Sequence, residues 1–600
     1  MIAALAALAA TVAIGARITG ELRTPVELPQ VAYATSEQCV MCHPGRYETW
    51  HRTFHRTMTQ PARATAVVGD FENASLTYQG VTSRFTRDGE RFFVETLSPA
   101  NTMERYEIAM TVGSRRIQQY VTRVGDRHVR LPVAWNIEER RWIHLNGGFL
   151  DPDATAFNAH RTDWDSNCIF CHNVKAQPRL NRETDTFDAR VAELGIACEA
   201  CHGPADLHIR RNRDPLRRYL LYLGDRDPTI RSPRELPRMQ QIQICGHCHG
   251  QRLPNPRERI AEFMTVGDPY TAGDDLSRFT TPIDAHTELA GTDLSQRFWS
   301  DGTPRLTAYE YQGLLTSEGH GSSDLTCMSC HDMHGGDPRG MIQPAMRGNA
   351  GCVQCHAEIG RNVSKHTGHE AAGSGSECYA CHMPPTTYGL LTVHPSHRIT
   401  SPAPARAWRN EMPEACTLCH TDRTAIWAAR ETARQFGTPP PDDEPSDRAF
   451  ETAESIRSLF GGDVVQRAVA ANALAQARSY TSDPTQRLWA VPFLLLTMED
   501  PYPAVRHFAH RGLLELCARA EVGESAIGAA PKSPPFDYLA EPAARTAALQ
   551  SWWSWWQGLD KRRLSHPGAA VPLDAEFMPR RDVITSLIAR QSNHLVSIGE

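Results

Sequence analysis

The sequence predicts a mainly α and irregular, cysteine-rich core with a small β-rich insert, followed by an α-helical repeat domain. Three observations predict it. A Cys-x-x-Cys-His pentapeptide recurs eight times and uses sixteen of the seventeen cysteines. A cysteine-free stretch near the N-terminus alternates polar and apolar residues between turn signals. The last part of the chain places apolar residues at the helical spacing of about 3.6.

The pentapeptides carry the chemistry. Their cysteine pairs are Cys39 and Cys42, Cys168 and Cys171, Cys198 and Cys201, Cys245 and Cys248, Cys327 and Cys330, Cys352 and Cys355, Cys378 and Cys381, and Cys416 and Cys419. Each pair is followed by a histidine: His43, His172, His202, His249, His331, His356, His382 and His420. This pattern is the attachment signature of c-type haem. Two thiols three residues apart reach one edge of a macrocycle, and the adjacent imidazole reaches its iron. The composition of this 600-residue chain yields roughly 0.02 such matches by chance. Eight matches therefore predict eight haem c groups. Disulfide pairing explains neither the fixed spacing nor the following His. Zinc sites would join two Cys pairs without needing a His after each. Cys517, in a helical stretch, reads as a buried apolar residue.

Residues 1–16 carry no charged side chain and end at Arg17. A run this short suits a signal peptide or a retained N-terminal anchor. Either reading sends the chain out of the cytoplasm, where haem c is attached. The expected location is the periplasm, free or membrane-anchored, or the cell exterior. The net charge of −6 excludes a nucleic-acid role, which needs a basic surface.

The elements follow in order. Residues 17–35 form a linker, and residues 36–425 form the octahaem domain. Within it, 62–150 read as the β-rich insert. Its Asp88-Gly89 turn lies between the alternating runs Ser83–Thr86 and Arg91–Leu97. Residues 251–320 read as loops wrapped around the haem core. Residues 426–600 read as helical. The runs Asp463–Arg478 and Asp500–Arg519 are amphipathic and resemble HEAT repeats, the second more closely. The Trp552–Trp556 cluster reads as a packed terminal helix, and the tail as a surface for docking a protein partner.

A second axial ligand sets the potential and reactivity of each iron. Fourteen histidines outside the motifs lie in the haem-bearing part, more than eight bis-histidine irons need. The candidates are His55, His160, His208, His320, His334, His366, His369 and His397. His128, His144, His247 and His286 read as ordinary histidines. Met333 and Met383 flank motif histidines and offer an alternative ligand type.

The runs Ser36–His55, Gly195–His208, Cys330–His334 and Cys381–Pro384 resemble multihaem cytochromes related to tetrahaem cytochrome c and hydroxylamine oxidoreductase. The resemblance spans roughly 36–420, apart from the insert and 251–320. It implies that a trailing His of one motif serves a neighbouring haem, which favours His55, His208 and His334. Family reductases often carry Lys in place of one motif His, and all eight motifs here end in His. The oxidase type uses a crosslinking Tyr, and neither Tyr388 nor Tyr538 stands in a matching context. The expected function is electron transfer between redox partner proteins outside the cytoplasmic membrane, through mostly bis-His haems. The alternative is an octahaem oxidoreductase acting on a small nitrogen or sulfur compound such as hydroxylamine, nitrite or tetrathionate. The sequence names no catalytic residue.

Overall fold

The computed structural model describes residues 33–598 except 225, 290–291, 322, 439–447, 477–483, 521–534 and 593. Segment 1–16 and most of the 17–35 linker lie outside the described residues. No helix among the described residues is long and apolar enough to cross a membrane.

The β-rich insert is larger than the sequence suggests. Nine strands form one antiparallel sheet: β1 (Thr59–Pro61), β2 (Glu72–Tyr78), β3 (Val81–Asp88), β4 (Arg91–Leu97), β5 (Met103–Val112), β6 (Ile117–Val124), β7 (Arg127–Asn136), β8 (Arg141–His144) and β9 (Thr162–Asp163). Strands β2 to β8 pair in sequence order, β1 pairs β5, and β9 pairs β7. The Asp88-Gly89 signal forms the expected turn, with Asp88 opposite Arg91 and Gly89 at φ +58°. One face closes over an aromatic core in which Phe85 stacks on Trp142 at 3.5 Å and Phe71 packs edge-on. On the other face Met110, Val112 and Val121 pack against Ile169 of the second motif. The edge strand β9 was too short for a periodicity signal.

The tail is helical: α1 (Ala425–Phe436), α2 (Glu454–Gly461), α3 (Val464–Ala475), α4 (Val491–Thr497), α5 (Pro503–Ala520), α6 (Pro542–Gly558) and α7 (Arg581–Ile588). Helix α3 is buried along its whole length rather than on one stripe. It is enclosed by α2, α5 and the strand Pro385–Gly389, so its polar residues need internal partners. Arg467 answers this by pairing with Asp500 at 2.9 Å. The Asp463 carboxylate caps α3 by accepting from Val465 N and Gln466 N, and also binds Arg305 at 2.7 Å. Trp552 and Trp556 are buried on α6, as a packed terminal helix requires.

The tail does not have a core of its own. One apolar cluster joins Tyr78, Ile117 and Ile143 of the sheet, Phe298, Trp299, Leu306 and Tyr309 of the 251–320 stretch, and helices α2 to α7. That stretch is therefore an inserted wedge as well as a wrapping loop. Arg506 of α5 fixes the junction. Its side chain is fully buried, donates twice to Asp153 at 2.8 and 2.9 Å, and donates to Tyr538 O and Asp500 O. Asp153 keeps Arg545 at 2.9 Å, so removing Arg506 costs most at the Tyr538 and Asp500 carbonyls it serves and in the cavity its buried side chain leaves. Arg506→Ala is expected to destabilise the holoprotein by about 3 kcal/mol in denaturant unfolding. A loss below about 1 kcal/mol would contradict this role.

Candidate functional site

Each motif folds locally into a single helical turn. The His N–H donates to the first cysteine's carbonyl in His43, His172, His249, His331, His356 and His420, at 2.8–3.1 Å. His202 and His382 end short helices that begin at Cys198 and Cys378. A turn closed between residues four apart puts both thiols and the imidazole on one side. No disulfide joins any of the seventeen cysteines. Cys517 is buried and stands apart from the motifs.

The motif histidines meet distant histidines. Ring centroids are 6.3 Å apart for His43 and His208, 6.2 Å for His249 and His55, and 6.3 Å for His202 and His334. They are 6.4 Å apart for His331 and His397, 5.9 Å for His356 and His320, and 6.1 Å for both His382 with His366 and His420 with His369. Imidazole nitrogens sit about 2 Å from a metal, and about 1.2 Å from their own ring centre, so trans ligands have centroids about 6.4 Å apart. Seven pairs within 5.9–6.4 Å thus leave room for one iron each. Among the described residues no cluster of three or more His, Cys, Asp or Glu could hold a free metal ion. The donor set therefore fits a group that brings its own equatorial ligands, as a porphyrin does.

Hydrogen bonds orient these rings. Nδ1 of His202 meets Arg231 O at 2.9 Å, that of His331 meets Gly340 O at 2.7 Å, and that of His382 meets Thr400 O at 3.0 Å. A ring that donates from Nδ1 turns Nε2 to its partner. His208 Nδ1 bonds Asp227 at 2.8 Å. Burial pushes the Asp227 carboxyl up, but hydrogen bonds from His208, Thr229 and Asn212 outweigh it and hold it below its ordinary value. His249 Nδ1 lies 3.4 Å from Glu310. Burial raises Glu310 too, and His249 more than reverses this, bringing it to about 2. Burial lowers His55 to about 4, which keeps its ring neutral and able to ligate.

Chain geometry brings His55 to His249. The helix Pro44–His51 docks through Trp50 Nε1, which donates to Ile196 O at 2.9 Å. Ile196 N donates to His55 O at 2.9 Å. Gly195 permits this approach: its φ is +76°, and a Cβ there would lie 2.2 Å from Arg56 O.

The motifs are strung together by their thiols. Cys39 contacts Cys198, Cys171 contacts Cys248, Cys245 contacts Cys327, and Cys352 contacts Cys378. Cys201 is within electrostatic reach of Cys245 and Cys248, Cys330 of Cys355, and Cys381 of Cys419. Numbered in sequence, the motifs run one, three, four, five, six, seven, eight, with the second attached to the fourth. A cavity of about 440 Å³ opens beside the first motif, lined by Cys42, His43, Arg46, Thr49 and His334.

Seven of the eight candidate partner histidines thus face a motif histidine, and His160 does not. His160 bonds Asp151 through Nε2 and stacks on Phe149 at 4.0 Å. The carboxylate holds the nitrogen that a metal would need. His128 bonds Asp165, His247 bonds Asp268, His144 is buried against Tyr78, and His286 is exposed. Sequence reasoning missed Asp227 and Glu310, whose roles rest on contacts between distant segments.

The family model described as the doubled CXXCH motif matches residues 320–361, which hold His320 and the fifth and sixth motifs. No curated protein matches the chain. Among solved structures, the crystal structure of the outer cell wall cytochrome OcwA is similar at 17% identity. The match covers 81% of this chain and 99% of that one, with a TM-score of 0.45. The doubled-motif match, on a chain with eight such motifs, supports a multihaem c-type cytochrome.

Proposed function

We propose that the chain transfers electrons outside the cytoplasmic membrane through eight covalently bound haems, seven of them held between two histidines. The single observation that carries this reading is the set of seven imidazole pairs with iron-sized gaps. Haem iron with two axial imidazoles supplies one-electron transfer at low potential without changing its ligands. The chain's own residues supply attachment, orientation and tuning. The sixteen motif cysteines fix each group in place. The thiol contacts set neighbouring groups side by side from the first motif to the eighth. Paired histidines leave no place for Met333 or Met383 as ligands at these seven sites. Redox proteins serve as donor and acceptor; α2, α3 and α4 are buried almost throughout, so the helical tail can dock one of them only through its outer residues, such as Leu514 and Ala518 of α5. Segment 1–16 directs export and is cleaved or kept as an anchor.

The alternative, an octahaem oxidoreductase acting on a small nitrogen or sulfur compound, is favoured by one observation. His172 faces no histidine ring among the described residues.

Two measurements test the main reading. Intact-mass and haemochrome analysis of the purified holoprotein should give eight haems per chain that resist acid-acetone extraction. Six or fewer, or extractable haem, would overturn it. Asp227 makes the His208 ring more electron-rich, which stabilises ferric iron. Asp227→Asn should raise one of the midpoint potentials by tens of millivolts, where about 59 mV is a tenfold change for one electron. A lowered potential would contradict this tuning.

A further inference from the structure

Two arginines at one tip of the sheet touch the segments that hold both histidines of the fifth motif's pair. Strands β5 and β6 are joined by the turn Gly113–Arg116. The turn is tied down: Ile137 N donates to Arg116 O at 2.8 Å, and Ser114 Oγ meets Thr57 Oγ1 at 2.5 Å. Arg115 Nη2 donates to Arg339 O. The oxygen of the next residue, Gly340, meets His331 Nδ1 at 2.7 Å. Arg116 Nη1 meets His394 Nε2 at 2.9 Å. His394 lies on the strand Thr392–Pro395, three residues before His397 and within electrostatic reach of it. His331 and His397 are the facing rings of this motif, 6.4 Å apart. One guanidinium thus stands beside the loop that orients one ring, and the other beside the segment that carries the opposite ring.

Neither arginine makes an ion pair among the described residues. The carboxylates that act on Arg115 are Glu138 and Asp337, and Glu138 alone acts on Arg116. Asp337 is committed to Arg347 at 3.1 Å, and Glu138 is exposed. Glu310 also acts on His394, but it is engaged by His249 at 3.4 Å. The other charged neighbours are cations, Arg339 beside Arg115 and Arg511 beside Arg116. Burial pushes both guanidiniums below the ordinary arginine value. Burial also lowers His394 to about 4, so its ring is neutral and cannot serve as their counter-charge. Cations gathered in partly buried surroundings call for a partner of opposite sign. Haem supplies one, because a porphyrin attached through its two vinyl groups carries two propionate carboxylates on the opposite edge. Cys327 contacts Cys245, and Cys330 lies within reach of Cys355. The thiol edge of the fifth group therefore borders the fourth and sixth motifs.

We propose that Arg115 and Arg116 form the seat for the propionates of the haem attached through Cys327 and Cys330, with His394 bracing Arg116. A planar guanidinium matches a carboxylate through two parallel hydrogen bonds. Two cations beside one macrocycle also favour its reduced form, because the added electron brings negative charge. The seat thus raises the potential of a haem in the middle of the series. The proposal rests on the haem-binding reading above and adds a tuning site to it.

A structure of the holoprotein, by X-ray diffraction or electron cryomicroscopy, tests the seat. Propionates of the fifth haem should lie within hydrogen-bond distance of Arg115 and Arg116. Propionates directed elsewhere, a propionate of the fourth haem in their place, or Arg116 paired with Glu138 would overturn the proposal. Spectroelectrochemical titration of the holoprotein tests the tuning. Arg115→Gln and Arg116→Gln should each lower one midpoint potential, with the haem count and the axial ligation unchanged. The expected fall corresponds to a roughly three- to tenfold change in the one-electron equilibrium, where tenfold is about 59 mV. Arg116→Lys keeps the charge and should retain most of the wild-type potential. Unchanged potentials in both Gln variants, or a Lys variant that falls as far as Arg116→Gln, would overturn the tuning. If the Gln variants fail to fold, the wild-type holoprotein structure still decides the seat. Eight haems with the fifth propionates elsewhere would sink this proposal alone, whereas fewer covalent haems would sink the electron-transfer reading with it.

Discussion

The pairing of imidazoles across an iron-sized gap is the constraint on which this structure depends. Each pair ties together segments far apart in the chain: His55 to His249, His43 to His208, and His202 to His334. Between the fifth and seventh motifs the polypeptide buries little of its own apolar surface, with Met341 and Ala380 the buried hydrophobics from 327 to 382. Such a stretch cannot offset the conformational entropy lost on ordering it. On the proposed reading, the macrocycles held by the motifs would supply the missing apolar surface and the cross-links together.

The sheet and the helical tail solve the opposite problem. They are densely packed and share one core. The Arg506–Asp153 and Arg305–Asp463 pairs join tail to sheet and tail to wedge.

Much of the site was legible because haem attachment is a local code. The spacing of two cysteines and a histidine names its own chemistry at any point in a chain. The supply of further histidines was legible for the same reason, but not their partners. His160 shows why: it lies eight residues before Cys168, and nothing in the sequence says that Asp151 claims its ring. His366 and His369 are three residues apart yet face different motif histidines, His382 and His420. Strand alternation revealed most of the sheet, since its faces differ in burial. It missed β1 and β9, which are too short to show a period. The helical periodicity of the tail was visible, but its burial on every side was not. Polar positions of α3 are satisfied from outside the helix, Arg467 by Asp500 and Asn472 by Arg511.

The most direct test of the account is the position of the irons in the holoprotein, from anomalous diffraction or electron cryomicroscopy. The account predicts eight irons, seven of them midway between His43 and His208, His55 and His249, His202 and His334, His331 and His397, His320 and His356, His366 and His382, and His369 and His420. The eighth would be bound by His172. Irons that join histidines from different pairs, or fewer than eight irons, would contradict it.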